Sequence, residues 1–170
     1  MSGQSKAVQL ATHSKYSHCC IVVLDGSKAY VVEAVQPVSI TPLARWISHG
    51  DDGHYVVKRL VNADSVLTPE TLERMKAVGE DFIGKKYDRT FEWSDDKIYC
   101  SELVWKIYKR GAGIEVGKLG RLRDFDLTHE EVKKVMKDRY GDDIPLNDVV
   151  ISPVDIYNSD LLKQVDVEHR

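Results

Sequence analysis

Apolar and polar positions along this chain follow two periods, one typical of strands and one typical of helices. Runs rich in β-branched residues predict strands at 19–24 (CCIVVL), 29–35 (AYVVEAV) and 54–61 (HYVVKRLV). Asp25 and Gly26 separate the first two runs, and an Asp-Gly pair is a strong signal for a tight hairpin turn. We therefore expect an antiparallel hairpin in which the numbers of facing residues sum to about 53.

Helical spacing of apolar residues predicts a long helix over 68–83. Thr68 suits the N-cap, Pro69 the first helical position and Gly84 the end of this helix. Its apolar stripe consists of Leu72, Met75, Val78 and Phe82. Weaker signals predict four further helices, at 5–14, 41–50, 129–140 and 156–162, and an extended segment at 151–154. Thr41 is the expected N-cap of the second of these helices, and Thr128 and Glu131 are the expected capping box of the third.

The stretch KIYCSELVWKIYKRG, from Lys97 to Gly111, places a cysteine at the start of a further predicted helix. Cys100 lies at the N-terminal end of this helix, and Gly111 would end it. The segment 84–99 before it predicts an irregular, aromatic-rich connection. The apolar side of the helix would consist of Leu103, Val104, Ile107 and Tyr108.

A meandering sheet with separate helices indicates the α+β class. No linker rich in Gly, Ser or Pro divides the chain, so we predict that 1–170 forms a single domain. The 170 residues carry a net charge of −3, which gives no electrostatic footprint for nucleic acid. The longest apolar runs are far shorter than the roughly 20 residues that span a bilayer.

The first residues and the cysteines bear on the compartment. The start, MSGQSKAVQL, is polar and lacks the apolar core of a secretory signal peptide. Three cysteines are too few for a disulfide framework, and free thiols suit a reducing compartment. The chain as it stands is therefore expected in the cytoplasm, and in the periplasm or outside the cell if a signal peptide has been removed.

Metal binding is a hypothesis raised by four residues that are close in the sequence: His13, His18, Cys19 and Cys20. Zinc sites need spaced ligands, typically with a second pair further along the chain. Neighbouring residues of a strand point to opposite faces, so Cys19 and Cys20 would diverge. We therefore expect no metal ligands here and no cofactor.

Cys100 is a candidate nucleophile. The free N–H groups and the dipole at a helix N-terminus stabilise an anion, and a thiolate is such an anion. A free cysteine titrates at about 8.5, and a helix N-terminus together with an imidazolium strongly depresses that value. The alternative is that Cys100 is a small apolar residue in the core side of its helix.

A nucleophilic cysteine needs a base, and His18 at the opening of the first strand can face a helix packed on the sheet. In the hairpin register given above, His18 faces Val35, which lies two residues from Glu33 on the same face. A carboxylate at that position would hold the imidazole in one orientation. The alternative is that Glu33 is an edge-strand charge that faces water.

Three segments together resemble the YiiX-like proteins: HSKYSHCCIVV with AYVVEAV, then GKKYDRTFEWSDDKIYCSELVWKIY, and later FDLTHEEVKKVMKDRYG. That family consists of circularly permuted, NlpC-type papain-like cysteine hydrolases related to lecithin:retinol acyltransferase-like enzymes. The resemblance covers nearly the whole chain. It implies a permuted papain-like fold with an antiparallel, partly barrel-like sheet packed on helices.

The resemblance also implies roles for single residues. Cys100 matches the nucleophile of the family, His18 its base, and Glu33 the polar residue that orients the histidine. In ordinary papain-like enzymes the cysteine precedes the histidine, and the reversed order here is what permutation requires. Tyr16 and Tyr99 flank the two key positions, and the resemblance implies that they line the oxyanion or substrate site.

Two features depart from the family pattern. A glycine-aspartate strand usually precedes the histidine block and has no counterpart in this sequence, so we expect a sheet without that edge strand. Cys19 and Cys20 take positions that are usually small or apolar, and we expect them only to pack.

The implied function is that of a thiol hydrolase acting on an amide or ester acyl bond, in a peptidoglycan-type peptide or a lipid-linked amide. Four aromatic residues are candidates to line an apolar acyl pocket, with core packing as the alternative: Trp46, Phe91, Trp93 and Tyr99. Two other functions stay open, an acyltransferase of the lecithin:retinol type and a ligand-binding module of the same fold without turnover.

Overall fold

The computed structural model of this protein describes residues 3–165, which contain both helices and strands, as expected. The helices are α1 (Gly3–Thr12), α2 (Leu43–Ile47), α3 (Ala63–Val66), α4 (Pro69–Phe82), α5 (Cys100–Ile107), α6 (Glu130–Tyr140) and α7 (Pro153–Tyr157). The strands are β1 (Ile21–Asp25), β2 (Lys28–Glu33), β3 (Ser39–Pro42), β4 (Val57–Leu60), β5 (Lys86–Tyr87), β6 (Lys97–Ile98), β7 (Gly120–Arg121), β8 (Val149–Val150) and β9 (Leu162–Val165). Within 3–165, every helix is too short or too polar to cross a bilayer.

The main sheet is antiparallel and has β2 in its middle, between β1 and β3. In the hairpin, Asp25 faces Lys28 and Ile21 faces Val32, so the register predicted from the Asp-Gly turn is confirmed. The ladder begins only at Ile21, because residues 16–20 lie before the strand rather than in it.

The third strand of this sheet replaces the start of the helix expected at 41–50. Thr41 belongs to β3 and faces Val31 of β2. The helix begins at Leu43 with Pro42 as its N-cap residue, so the expected N-cap role of Thr41 is wrong. Proline lacks a backbone N–H and its φ is fixed, which suits the junction between an edge strand and a helix.

The remaining strands form three two-stranded ladders, β4 with β9, β5 with β6 and β7 with β8. In the described part of the chain these ladders do not join the main sheet into a closed barrel, which corrects the expected partly barrel-like sheet. The β5–β6 pair is parallel, so the strands are not uniformly antiparallel.

The C-terminal part differs from its predicted elements. β4 falls inside the strand predicted at 54–61, but its partner β9 begins at Leu162, where a helix over 156–162 was expected. The helix lies earlier, because Pro153 takes its first turn and Ser152 Oγ accepts a hydrogen bond from the Asp155 N–H at 3.3 Å. The extended segment expected at 151–154 is shortened accordingly.

α4 begins and ends where the sequence predicts. Thr68 caps it, since its Oγ1 accepts a hydrogen bond from the Thr71 N–H at 3.2 Å. Met75 and Phe82 of the predicted stripe are buried, whereas Leu72 is exposed. The buried face is therefore turned toward Thr71 and Gly79, which are also buried.

α5 is buried on every side, not on one side as its apolar pattern predicts. Glu102 and Lys106, which look like a surface ion pair in the sequence, are both buried, and Lys106 Nζ lies 2.7 Å from Glu102 Oε1. The same Nζ donates to Asp95 Oδ1 at 2.8 Å. Paired charges are the form in which such residues are tolerated inside a protein.

The end of α5 lies later than predicted. The chain continues into a π-helical turn over Tyr108–Ala112 and stops at Gly113, which has a left-handed φ of 73°. Gly111, the expected stop, has a different reason to be glycine: a Cβ there would lie 2.6 Å from the Cα of Met75 in α4. The absence of a side chain lets the two segments approach each other.

α1 and α6 pack together around a small core of their own. Its buried members are Ala7, Leu122, Val132 and Met136. The capping box expected for α6 is wrong, because His129 is the N-cap residue and makes no side-chain cap. Thr128 Oγ1 instead donates to Asp126 Oδ1 at 2.6 Å.

Candidate active site

The carboxylate of Glu33, the last residue of β2, is held by one partner on each side. His18 Nε2 lies 3.0 Å from Glu33 Oε2, and Thr41 Oγ1 donates to Oε1 at 2.7 Å. Thr41 is a diagonal neighbour of Glu33 across the sheet, because it lies two residues from Ser39, which faces Glu33, whereas His18 lies in the segment before β1. Glu33 is only 4% exposed, so the alternative of an edge charge facing water is wrong.

The buried carboxylate of Glu33 and the half-buried imidazole of His18 stabilise each other as charged groups. Burial by itself raises the pKa of Glu33, but the hydrogen bonds from His18 and Thr41 outweigh it, and the pKa lies below its ordinary value. Burial lowers the pKa of His18, but hydrogen bonds with Cys100 and Glu33 outweigh it and raise that pKa to about 10. Both contacts therefore favour the imidazolium form of His18.

Cys100 is the first residue of α5, and its sulfur contacts the His18 imidazole. Because Glu33 engages Nε2, Nδ1 is the ring nitrogen that is left for the sulfur. Hydrogen bonding from Cys19 lowers the pKa of Cys100, burial opposes it, and His18 lowers it again, so the pKa lies well below the ordinary value. Cys100 is 4% exposed, yet its thiol interacts with His18 and Cys19, unlike a purely apolar core thiol.

Cys19 is a contact that the sequence analysis missed. Its thiol and its backbone both hydrogen-bond to the Cys100 sulfur. That contact, together with burial, raises the pKa of Cys19 well above its ordinary value, so Cys19 stays a proton donor to its neighbour. All three cysteines are free, and burial also raises the pKa of Cys20. The expectation that Cys19 only packs is therefore wrong.

The two tyrosines expected at the oxyanion or substrate site have partners of their own. Tyr16 stacks on Tyr157 with ring centroids 4.4 Å apart and hydrogen-bonds to it. The Tyr99 hydroxyl accepts a hydrogen bond from the Ile151 N–H at 3.2 Å, and its ring meets Phe91 edge-on. Tyr99 also lines a cleft beside Cys100, described next, and the role of both residues stays a prediction.

A cleft with a cavity volume of about 90 Å³, partly open to solvent, lies between α1, α6 and the start of α5. Cys100 and Ser101 are among the residues that line it. Most of the lining is apolar and comes from Val8, Ala11, Phe125, Val132, Val135 and Met136. The apolar lining of a cleft that reaches a thiol suits a hydrocarbon group attached to a reactive carbonyl.

One polar chain runs through the lining of the cleft. Arg139 Nη2 donates to Gln4 Oε1 at 3.0 Å, and Gln4 Nε2 donates to the Tyr87 hydroxyl at 2.7 Å. The Arg139 guanidinium also lies over the Phe91 ring at 4.8 Å. Burial lowers the pKa of Arg139. Arg139 is the one charged residue among those that line the cleft, and most of the wall is apolar.

The four aromatic residues proposed for an acyl pocket divide into two groups. Phe91 and Tyr99 line the cleft. Trp93 packs edge-on against Trp105 at 5.4 Å, and the Trp46 ring lies 6.2 Å from that of His18. Phe91 and Tyr99 thus border the space beside Cys100, and Trp46 lies near the His18 imidazole.

The four residues of the sequence-based metal hypothesis are not brought together as one ligand set among residues 3–165. His18 pairs with Glu33, and His13 Nε2 lies 3.2 Å from Asp126 Oδ2. Cys100 affects the pKa of both Cys19 and Cys20, and the charge of Glu33 also raises that of Cys20.

Comparison with known proteins gives consistent relatives. A sequence profile of the permuted papain-like amidases, the YaeF/YiiX or C92 family, matches residues 2–165. The uncharacterized protein YiiX of Escherichia coli K12 is 45% identical over 167 residues, which are 98% of this chain and 81% of that protein. A crystal structure of yiiX from Escherichia coli O157:H7, described as a metalloprotein, superposes with a TM-score of 0.92 at 45% identity, covering 98% of this chain and 91% of that one.

These matches extend over almost the whole chain, and they agree with a cysteine that follows its histidine in the sequence and meets it in the fold. A family of papain-like amidases is one of thiol hydrolases. The chain belongs to the permuted papain-like amidase family of YaeF and YiiX.

Proposed function

We propose that this protein is a thiol hydrolase that cleaves an amide or ester acyl bond with Cys100 as nucleophile, His18 as acid and base, and Glu33 as the group that orients His18. The observation that carries the proposal is the line of contacts from Glu33 through His18 to a sulfur at a helix N-terminus. A preformed thiolate-imidazolium pair is the activated state of such a nucleophile.

In the first half of the proposed reaction, the Cys100 thiolate attacks the carbonyl carbon of the substrate and a C–S bond forms. Backbone N–H groups at the start of α5 stabilise the negative charge on the carbonyl oxygen. The C–N or C–O bond then breaks, and the leaving group takes the proton from Nδ1 of His18. The product that remains on the protein is a thioester.

In the second half, His18 removes a proton from water, and the hydroxide attacks the thioester carbon. The C–S bond breaks, the carboxylic acid leaves, and the proton on His18 restores the thiolate-imidazolium pair. Glu33 keeps Nε2 occupied throughout, so that only Nδ1 exchanges protons with the reactants. An alcohol or amine in place of water would give the acyltransferase alternative.

The cleft favours one of the two substrate classes. A peptidoglycan-type peptide carries several charges and would need more than one fixed partner, whereas the cleft wall is mainly apolar. A lipid-linked acyl group would bury its chain against α1 and α6. We therefore propose an amide or ester of a hydrocarbon acid as the substrate.

A substrate screen tests this proposal. Long-chain acyl amides and esters are compared with short-chain analogues and with muropeptides, for the wild type and for Cys100→Ala. We expect turnover of the long-chain compounds that Cys100→Ala abolishes, while the matched control Cys20→Ala retains it. Binding of the same compounds without turnover by the wild type would instead support a ligand-binding module.

The suggestion of a bound metal comes only from the relative, because yiiX of Escherichia coli O157:H7 is described as a metalloprotein. We propose that this chain also binds a metal, outside the thiol site. The thiol reaction above has no step through this ion, so the two proposals can be tested separately.

A further inference from the structure

Outside the thiol site, three potential metal ligands converge where the chain leaves α1 and enters α6. His13 Nε2 lies 3.2 Å from Asp126 Oδ2, and His129 Nε2 lies 3.6 Å from the same oxygen. The ligand atoms of all three residues lie within 4.8 Å of one another. Among the described residues, no other three histidine, cysteine or carboxylate side chains come this close together.

The backbone brings these three residues next to one another. His13 adopts a φ of 50°, a left-handed conformation uncommon for residues other than glycine. The Asp126 N–H donates to the Ala11 carbonyl at 2.9 Å, which attaches the loop before α6 to the end of α1. His129 then begins α6 as its N-cap residue. The ligands thus come from two segments that the backbone holds side by side.

The hydrogen bonds of Asp126 decide which of its oxygens is available. The Thr128 N–H and Oγ1 both donate to Oδ1, at 2.9 Å and 2.6 Å. Oδ2 is left to face the two imidazoles. A carboxylate with one oxygen held by the protein and the other directed at the ion is the arrangement in which second partners orient a metal ligand.

We infer that His13, Asp126 and His129 form a binding site for a divalent transition metal, and the donor set points to zinc. Two imidazole nitrogens and one carboxylate oxygen form the kind of site that holds Zn²⁺ with a water in the fourth position. Mg²⁺ and Ca²⁺ take oxygen ligands almost exclusively, so they fit this set poorly. The inference goes beyond the thiol chemistry and does not depend on it.

A metal bound by these three residues would affect the cleft beside Cys100. Ala11 and Thr12 on one side, and Phe125 and Leu127 on the other, line the cleft and neighbour the ligands in the sequence. An ion that bridges His13 and His129 would hold the end of α1 to the start of α6. The metal would therefore stabilise the wall against which we place the acyl chain.

Cobalt titration of protein freed of metal by a chelator tests the inference. We expect one equivalent of Co²⁺ to bind with visible ligand-field bands and without a thiolate-to-cobalt charge-transfer band, because the ligands are nitrogen and oxygen. Zn²⁺ should displace Co²⁺ and raise the melting temperature. A charge-transfer band that disappears in Cys100→Ser would place the metal at the thiol site and overturn the inference, as would the absence of stoichiometric binding.

Variants locate the ion. His13→Ala and His129→Ala should each weaken Co²⁺ binding at least about tenfold, while the exposed histidine variant His54→Ala and Cys100→Ser should bind as the wild type does. Asp126→Asn keeps an oxygen for Thr128 and removes the charge, so it tests the third ligand without unfolding the loop. Unchanged affinity in Asp126→Asn and both histidine variants, with circular dichroism like that of the wild type, would refute the site.

Discussion

Hydrogen bonding from Cys19 lowers the pKa of Cys100, the residue that begins α5. A thiolate next to one imidazolium is already stabilised, and a second donor lowers its pKa further. The relationship comes from the segment before β1, in which His18 and Cys19 are consecutive and both contact the same sulfur. One short segment thus supplies both polar partners of the candidate nucleophile.

Replacement of Cys19 should raise the pKa of Cys100. In Cys19→Ala the thiol donor is lost, so we expect the pH midpoint of Cys100 alkylation by iodoacetamide to move upward. Cys19→Ser keeps a hydroxyl donor of similar size and should leave the midpoint nearer that of the wild type. Mass spectrometry of the alkylated peptide measures the rate at Cys100 alone. Identical midpoints in Cys19→Ala and the wild type would contradict the role of this donor.

Cys100 should react as a thiolate at neutral pH. A free thiol with a pKa of about 8.5 is only a few per cent ionised at pH 7, so a thiolate at Cys100 should be alkylated about tenfold faster than free cysteine, allowing for its lower intrinsic nucleophilicity. His18→Ala removes the imidazolium and should slow alkylation toward the free-cysteine rate. The exposed His54→Ala serves as the matched control. A wild-type rate no faster than free cysteine would refute the activated thiol.

Glu33 should set the upper pH limit of the charged pair. The pKa of His18 is raised to about 10, with contributions from both Cys100 and Glu33, so the imidazolium is present below that pH and is lost above it. Glu33→Gln keeps an oxygen for the Nε2–H but removes the negative charge, and the His18 pKa should fall. Turnover of a substrate should then fall by roughly tenfold or more.

NMR titration of the His18 ring measures this pKa without a substrate. Thr41→Val is the matched variant, because it removes one hydrogen bond to Glu33 and leaves the charge in place. Its effect on the His18 pKa should be smaller than that of Glu33→Gln. A titration midpoint near the ordinary 6.5 in the wild type would mean that the pair rests as neutral thiol and imidazole.

The parts of the fold that depend on neighbouring residues could be predicted from the sequence. The Asp-Gly turn determines the register of the first hairpin, and Glu33 at the end of its second strand meets His18, three residues before its first strand. Thr68 and Pro69 define the start of α4. Each of these features depends on a few consecutive side chains and their backbone preferences.

Features that depend on distant partners could not be predicted in this way. β3 is a four-residue strand that ends in proline, and only its ladder with β2 makes Thr41 a partner of Glu33. β4 pairs with β9, which lies about a hundred residues later and has no local signal for that choice. Glu102 and Lys106 have the spacing of a surface pair, and their burial follows from packing around all sides of α5.

A side chain at position 111 should destabilise the fold. In Gly111→Ala the new Cβ would lie 2.5 Å from Met75 Cγ and 2.6 Å from its Cα, and the backbone of α4 cannot yield as a side chain would. We expect a loss of about 3 kcal/mol in the free energy of unfolding. Urea denaturation measures it.

Gly79→Ala is the matched control for this prediction. Gly79 is also buried in α4, but its added Cβ would lie 3.5 Å from Ile107 Cδ1, an ordinary contact. Alanine is the better helix former, so this variant should be neutral or stabilised by about 0.5–1 kcal/mol. Equal effects of the two substitutions would show that close approach at Gly111 is not what restricts that position.

The buried Glu102 should make stability depend on pH between about 4.5 and 7. Burial raises the pKa of its carboxyl to about 7, although Lys106 counteracts that rise. A carboxyl with a higher pKa in the folded chain holds its proton better when folded, so its contribution is fully present below its unfolded pKa of about 4.5 and is lost as the pH rises through about 7. Glu102→Gln cannot ionise and should not show this loss.

The measurement is the difference in the free energy of unfolding between the wild type and Glu102→Gln, taken by urea denaturation at pH 5 and at pH 8. The wild type should lose stability relative to the variant at the higher pH. Glu130→Gln is the control, because a hydrogen bond from Lys133 lowers the pKa of the exposed Glu130, so any trend there has the opposite sign. Parallel pH curves for the wild type and Glu102→Gln would mean that Lys106 keeps Glu102 ionised throughout, and that the charges inside α5 exist as a permanent pair.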